Sequence, residues 1–99
     1  MVTVAIQYPV GHDFDIEYYK TTHIGLVQKI WASAGLKSWE VIKLGGEGAY
    51  QVITLLRWES LAAFQKAATM EGAKAMQDDL KNFTTAVPTI VVGETVAQG

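Results

Sequence analysis

His23 is the residue in this sequence best suited to proton-transfer chemistry. It stands in the middle of a stretch, 13–35, in which apolar side chains recur at helical spacing, so it is expected to face the core. Imidazole gains and loses a proton near neutral pH, which suits a general acid or base. The alternative is a structural histidine, buried in its neutral form and hydrogen-bonded to a backbone carbonyl or a tyrosine. The residue type alone leaves both interpretations open.

Aromatic side chains supply the other candidates for a binding site. Tyr8 and Tyr19 could offer hydroxyls to a substrate oxygen, or could pack in the core with the hydroxyl reaching towards water. Trp58, Phe64 and Phe83 could wall an apolar cavity, although aromatic residues at strand and helix spacing are often ordinary core. We predict that the five bind substrate.

Few residues could assist His23 or bind a metal ion or a cofactor. Asp79 could hydrogen-bond to His23, or could cap a turn or remain solvated. His12, Asp13 and Asp15 carry metal-ligand chemistry, but their spacing matches no zinc or calcium motif, so no metal is expected. The glycine-rich stretch 45–48 lacks the helix and the Lys-Ser or Lys-Thr pair of a phosphate loop, so we predict a hairpin turn. No other motif suggests a cofactor, and none is expected.

The elements that must position these residues follow the order strand, helix, strand, strand, helix, strand. Alternating or continuous apolar residues predict strands at 2–8, 36–44, 50–58 and 87–92, and the more polar 36–44 is expected at an edge. The helix over 13–35 starts with Asp13 or Asp15 as its cap and ends at Gly35. At 100° per residue its apolar stripe contains Ile16, Tyr19, His23, Leu26, Val27, Ile30 and Ala34.

Ser60 is the predicted N-cap of the second helical region. Its inward positions are expected to be Leu61, Phe64 and Ala68, with an interruption at 71–72. A further turn places Met76, Leu80 and Phe83 on one apolar face.

This order predicts an α+β, ferredoxin-like βαββαβ fold with a four-stranded antiparallel sheet and both helices on one face. The central strands, 2–8 and 50–58, carry apolar residues on both faces, so the open face needs cover. We therefore predict a homodimer in which two sheets pack face to face, a dimeric α+β barrel.

Composition narrows the class of protein further. The 99 residues are expected to form a single domain, 1–99, with 49% hydrophobic residues and no cysteine, which excludes disulfides and thiol nucleophiles. The mean hydropathy of +0.15 is high for a small monomer. A net charge of −2 without a basic run argues against nucleic acid and anionic membranes. Without a leader or a long apolar run, we expect a cytoplasmic protein that does not bind membranes.

Four segments together resemble the EthD family, named for a small protein of the ethyl tert-butyl ether degradation cluster. They are Tyr8-Pro9, Phe14 to Tyr19 followed by His23, Glu59 to Phe64, and Asp79 to Thr84. The most specific is the pattern Phe-Asp-x-x-Tyr-Tyr-x-x-x-His. Gly25 stands where family members often have proline.

The resemblance implies a dimeric α+β barrel associated with oxidative catabolism. Similar barrels act on small aromatic, lactone or polyketide compounds and include muconolactone isomerases and cofactor-independent monooxygenases. Two hypotheses follow for this chain. In the first, the protein is an enzyme that acts on a small apolar, aromatic or oxygenated metabolite, with His23 as its general acid or base. The enzyme would be an oxidoreductase, an isomerase or a dehydratase (lyase), and oxidation of a substrate anion by oxygen would use the same base. In the second, the protein binds such a molecule for a monooxygenase system without catalysis.

Overall fold

A computed structural model, which describes residues 1–46 and 48–99, contains one four-stranded antiparallel sheet. The strands are β1 (Val2–Pro9), β2 (Leu36–Lys43), β3 (Tyr50–Trp58) and β4 (Thr89–Glu94), and their spatial order is β2-β3-β1-β4. The expected central pair, β1 and β3, and the expected edge strand β2 are therefore confirmed. The predicted turn at 45–48 includes residue 47, which lies outside the described residues.

The helical segments follow the predicted order but are subdivided. The first region comprises α1 (Ile16–Tyr18), a π-helical turn (Tyr19–His23), α2 (Ile24–Trp31) and a 3₁₀ turn (Ala32–Ala34). The second comprises α3 (Leu61–Ala68), α4 (Glu71–Asp79) and a 3₁₀ turn (Leu80–Asn82). This arrangement confirms the α+β ferredoxin-like βαββαβ fold.

The helices cover one face of the sheet. Val4 of β1 and Leu56 of β3 pair in register, are each 1% exposed, and belong to one core cluster with Val27 and Met76 from the helices. The intervening residues, such as Ala5 and Leu55, point to the opposite face because successive side chains alternate. The sheet therefore has a helix-covered face and an outer face.

Side-chain capping explains where two helices begin. Asp15 Oδ1 accepts a hydrogen bond from the backbone N–H of Tyr18 at 3.1 Å, and Ser60 Oγ accepts one from Ala63 at 3.1 Å. Both caps are among those predicted, and each satisfies a backbone donor that the first helical turn leaves unpaired.

Two details of the predicted helical faces were wrong. The buried residues of the first region include Ile24 and Trp31, which lie outside the predicted stripe, because the π turn rotates the helix that follows it. In α3, Leu61 is 45% exposed and Ala67 is 1% exposed, so the inward face is displaced from the predicted one.

The molecule is thin in one direction. Its principal extents are 33 × 33 × 19 Å, and the shortest accommodates one sheet and one layer of helices, which pack about 10 Å apart. In the part of the chain that the structure describes, no helix has the length and apolarity needed to cross a bilayer.

Gly35 should tolerate alanine poorly, because both its backbone conformation and its surroundings oppose a side chain. Its φ is +109°, and an added Cβ would lie 2.9 Å from Ala63 Cβ, so Gly35→Ala is expected to destabilise the fold by about 1–3 kcal/mol. Gly25 is the matched control, because it lies within α2 with open space around it, and Gly25→Ala should be neutral or stabilising by up to about 1 kcal/mol. Urea denaturation of both variants tests the difference, and equal stability would contradict the assignment.

Candidate functional site

A π-helical turn places His23 against the sheet. The turn spans Tyr19–His23 between two α-helical segments, and both of these terminal residues are buried, His23 being 6% exposed. A π turn contains about one residue more per turn than an α-helix and is often found at functional sites. The imidazole lies parallel to the Tyr19 ring, with centroids 5.2 Å apart, and 4.7 Å from the Phe83 centroid. Aromatic packing thus fixes the plane of the histidine ring.

Asp79 is the hydrogen-bond partner of His23. Its Oδ2 lies 2.9 Å from His23 Nδ1, although the two residues are 56 positions apart in the sequence. The other oxygen, Oδ1, accepts hydrogen bonds from the Tyr18 hydroxyl at 2.6 Å and from Asn82 Nδ2 at 2.9 Å. The carboxylate therefore has three donors around it and is only 12% exposed at its side chain.

The surroundings of Asp79 favour its ionised form. Burial alone would raise the pKa of this carboxyl, but the hydrogen bonds from Tyr18, Asn82 and His23 outweigh it and lower the pKa. The hydrogen bond that the Tyr18 hydroxyl donates to this carboxylate raises the pKa of Tyr18. An ionised carboxylate only accepts hydrogen bonds, so Nδ1 of His23 carries the proton in this pair. In neutral His23, Nε2 then has a free electron pair.

A cavity of about 200 Å³ lies between the helices and the sheet. Two clusters of core residues contribute to its lining, a first that contains Val4, Val27 and Leu56 and a second that contains Tyr8, Tyr19 and Ile24, and Ile6 packs against both. Its lining consists of Val4, Ile6, Tyr8, Tyr19, His23, Ile24, Val27, Trp31, Thr54, Leu56, Phe64, Ala68, Ala73, Met76, Gln77, Leu80, Pro88 and Ile90. The exposed members of this set, Ala68, Gln77 and Ile90, mark the side on which the cavity opens to solvent.

Polar groups are few in this cavity. Apart from His23 and Gln77, they are the hydroxyls of Tyr8, Tyr19 and Thr54 and the indole N–H of Trp31, which donates to the Ala67 carbonyl at 3.2 Å. The Tyr19 hydroxyl is hydrogen-bonded to Thr54 Oγ1. Burial raises the pKa of Tyr8 and of Tyr19, so both remain neutral hydroxyls near pH 7. No Lys, Arg, Asp or Glu lines the cavity among the described residues.

The predicted site residues fall into two groups. Tyr8, Tyr19, Phe64 and His23 line the cavity together. Trp58 and Phe83 do not. Trp58 is fully buried in the first cluster, where its ring packs 5.1 Å from Trp31 and 5.5 Å from Phe64. Phe83 is 3% exposed and lies against His23, Tyr19 and Tyr8, so it supports the site from behind.

Three residues of this region were not among the predicted site residues. Tyr18 and Asn82 reach Asp79, and Thr54 reaches Tyr19. Thr54 carries a sequence signal, because it is a polar residue at an inward position of an apolar strand. Tyr18 and Asn82 stand in two of the segments that carry the family resemblance, but helix periodicity does not indicate their role, since each acts across a tertiary contact.

The cluster considered for metal binding does not assemble. His12 Nδ1 is instead 3.0 Å from Thr85 Oγ1, and the Asp15 carboxylate caps α1. Within residues 1–46 and 48–99, no group of three His, Cys, Asp or Glu side chains is placed to hold a metal ion.

Solved structures of known proteins share this fold. An EthD-like protein from Ralstonia eutropha is 24% identical, with 99% of this chain and 94% of that chain covered and a TM-score of 0.86. An EthD-family protein from Bacillus halodurans is 24% identical, with 97% and 99% covered and a TM-score of 0.78. A variant of SnoaB, a cofactor-independent oxygenase from Streptomyces nogalater, is 11% identical, with 98% and 94% covered and a TM-score of 0.76.

No protein-family model and no curated protein matches the chain. The structural similarity extends over nearly the whole chain at low sequence identity, so it concerns the fold. The resemblance read from the sequence is confirmed at that level: the chain has the fold of EthD-like proteins.

Proposed function

We propose that the protein binds a small, uncharged, largely apolar molecule with a carbonyl or hydroxyl group, and that His23 Nε2 moves a proton of that molecule. One observation carries the proposal. His23 lines the cavity while its Nδ1 is held by Asp79, and no described residue hydrogen-bonds to Nε2. A base that lines an apolar cavity and is oriented by a carboxylate is an arrangement that suits general base catalysis.

The lining defines the class of ligand. A cavity of about 200 Å³ is smaller than the 300–1,000 Å³ typical of drug-sized ligands, so the molecule is expected to have one or two rings. The absence of a cationic side chain among the described lining residues disfavours carboxylates and phosphates, which would lose their hydration without a partner. This chemistry agrees with a role in the catabolism of small molecules.

The proposed reaction starts with removal of a proton from the carbon next to a carbonyl group. Nε2 takes the proton, the C–H electron pair forms the enolate, and the Tyr8 hydroxyl donates a hydrogen bond to its oxygen. Return of the proton to another carbon completes an isomerisation. Loss of a hydroxyl group as water, with the same proton, completes a dehydration. Neither outcome needs an oxidant.

Oxidation is the second candidate, and the likeness to SnoaB, described as a cofactor-independent oxygenase, favours it. The anion formed by His23 would react with molecular oxygen, which is the oxidant in this reaction. A CH₂ group and one O₂ would give a carbonyl group and one water molecule. The two candidates therefore share the base and differ in the fate of the anion.

Solvent exchange of an enolisable ketone tests the proposal directly. In deuterated buffer, the protein should accelerate deuterium incorporation next to the carbonyl of 2-tetralone above the buffer rate, because Nε2 would repeatedly remove that proton. Mass spectrometry measures the exchange, and an oxygen electrode in air measures oxidation. Binding of the ketone without exchange would instead support the non-catalytic alternative, a binding protein for a monooxygenase system.

We also propose that two copies pack through the outer faces of their sheets. Ala5, Leu55 and Val91 lie side by side in register on this face, and Ile42 pairs with Ile53. Four strands of about eight residues present roughly 500 Å² of face per copy, so the pair would bury about the 1,000 Å² expected of a specific interface. Polar residues lie beside the apolar ones, including the Arg57–Glu40 ion pair at 3.6 Å.

A further inference from the structure

We infer that Tyr18 and Asn82 are positioning residues that orient the Asp79 carboxylate and thereby determine which ring nitrogen of His23 is free in the cavity. The catalytic consequence rests on the proposed function. The tautomer itself is a property of the folded protein that can be measured without a substrate.

The hydrogen bonds divide the two oxygens of Asp79 between different partners. Oδ1 receives both positioning donors, Tyr18 Oη at 2.6 Å and Asn82 Nδ2 at 2.9 Å, whereas Oδ2 faces His23 Nδ1 at 2.9 Å. The two oxygens of a carboxylate are equivalent, so a half-turn restores the same bonds, but any smaller rotation would break the bonds at the Oδ1 position. These two donors thus fix the Asp79 side chain in the orientation that His23 uses.

Tyr18 is itself held firmly. Its backbone N–H donates to the Asp15 side chain at 3.1 Å, and its ring stacks on Phe83 with centroids 6.3 Å apart. The backbone N–H of Asp15 donates to the carbonyl of Phe83 at 2.8 Å. The start of the first helical region is therefore tied to the segment that follows Asp79, so the Tyr18 hydroxyl lies at a fixed place beside the carboxylate.

An asparagine at position 79 reveals this role because the two ends of an amide differ. Tyr18 and Asn82 both donate, so they are expected to hold the amide oxygen at the position of Oδ1. The amide nitrogen then takes the position of Oδ2 and donates to His23 Nδ1. A histidine that accepts at Nδ1 must carry its proton on Nε2, and its base in the cavity is lost.

Nitrogen NMR of the histidine ring, recorded above the pH at which the ring is protonated, measures the tautomer. In the wild-type protein we expect the Nδ1–H form to exceed the Nε2–H form by about tenfold or more, because only that form keeps the bond to Asp79. Asp79→Asn should invert the ratio. Asp78→Asn is the matched control, since the Asp78 carboxylate is exposed and pairs with Lys74, and it should leave the ratio unchanged.

A second substitution isolates the contribution of Tyr18. In the double variant Tyr18→Phe/Asp79→Asn only Asn82 still donates at the Oδ1 position, so the amide turns its oxygen towards Nδ1 more readily than in Asp79→Asn. Because one of two hydrogen bonds is lost, the ratio of the Nδ1–H to the Nε2–H form should rise by about threefold or more above that of Asp79→Asn. Tyr50→Phe/Asp79→Asn is the control, because Tyr50 begins β3 and is not one of the donors to Asp79 Oδ1, which are Tyr18 and Asn82, and this variant should remain inverted. A wild-type ratio in Asp79→Asn, or a ratio of the two tautomers that Tyr18→Phe does not shift back towards Nδ1–H, would overturn the inference.

The exchange of 2-tetralone is measured on the same variants. Inversion of the tautomer together with a loss of exchange of about 10²–10⁴-fold supports both the inference and the proposed function. Inversion without any exchange in the wild-type protein supports the positioning role and contradicts the proposed function. If Asp79→Asn keeps both the wild-type exchange rate and the wild-type tautomer, the positioning role is contradicted but the proposed function is not.

Discussion

His23→Gln is expected to lower the rate of deuterium exchange into 2-tetralone by about 10²–10⁴-fold, the usual contribution of a positioned general base. Glutamine retains a polar group of similar length but cannot remove a proton from carbon. Binding of the ketone, measured by isothermal titration calorimetry, should change little, since most of the cavity lining is apolar and remains in place.

His12→Gln is the matched control for this substitution. His12 is exposed, and its Nδ1 lies near Thr85 Oγ1 rather than the cavity. The control should exchange the ketone at the wild-type rate. If His23→Gln also kept the wild-type rate, His23 would not be the base. If it lost both binding and exchange, a circular dichroism spectrum of the variant would show whether the fold had been lost, and a folded variant without binding would contradict a purely catalytic role.

The sequence predicted the architecture well because the strongest signals were strand alternation and helix caps. The strand over 50–58 was predicted with its observed bounds, Tyr50–Trp58, and Ser60 begins α3 as expected. These features depend on neighbouring residues, so the local sequence contains the information that determines them.

The candidate site was only partly predictable. His23 stood out because an ionisable residue occupies the apolar stripe, but its partner Asp79 is 56 positions away, and their 2.9 Å contact depends on the packing of two helices. The π turn also has no local signature, and the extra residue rotates α2 so that Ile24 and Trp31 face inward. Trp58 was predicted to bind substrate but is part of the core, because an inward aromatic residue can fill a core as readily as line a cavity.

Leu55→Asp is expected to dissociate the proposed dimer. Leu55 lies in the central strand β3, on the outer face, and pairs with Ala5 on β1 and Glu40 on β2. A symmetric interface would contain two of the new carboxylates, and each buried unpaired charge costs several kcal/mol. The dissociation constant should therefore rise by at least about 10³-fold, which corresponds to roughly 4 kcal/mol. Light scattering should change from twice the protomer mass to the protomer mass of 10.8 kDa.

Leu61→Asp is the matched control, because it introduces the same charge at a 45% exposed position at the start of α3, where a carboxylate suits the helix dipole. This variant should remain dimeric. Val91→Asp, on the outer face of the edge strand β4, adds a second test at a residue that is already 49% exposed in one copy and so has little effect on the protomer itself. A wild-type protein that scatters as a monomer at micromolar concentration, or a folded Leu55→Asp variant that stays dimeric, would contradict packing through this face. Dissociation in both outer-face variants, with the control unchanged, would assign the interface to the sheet rather than to the helices.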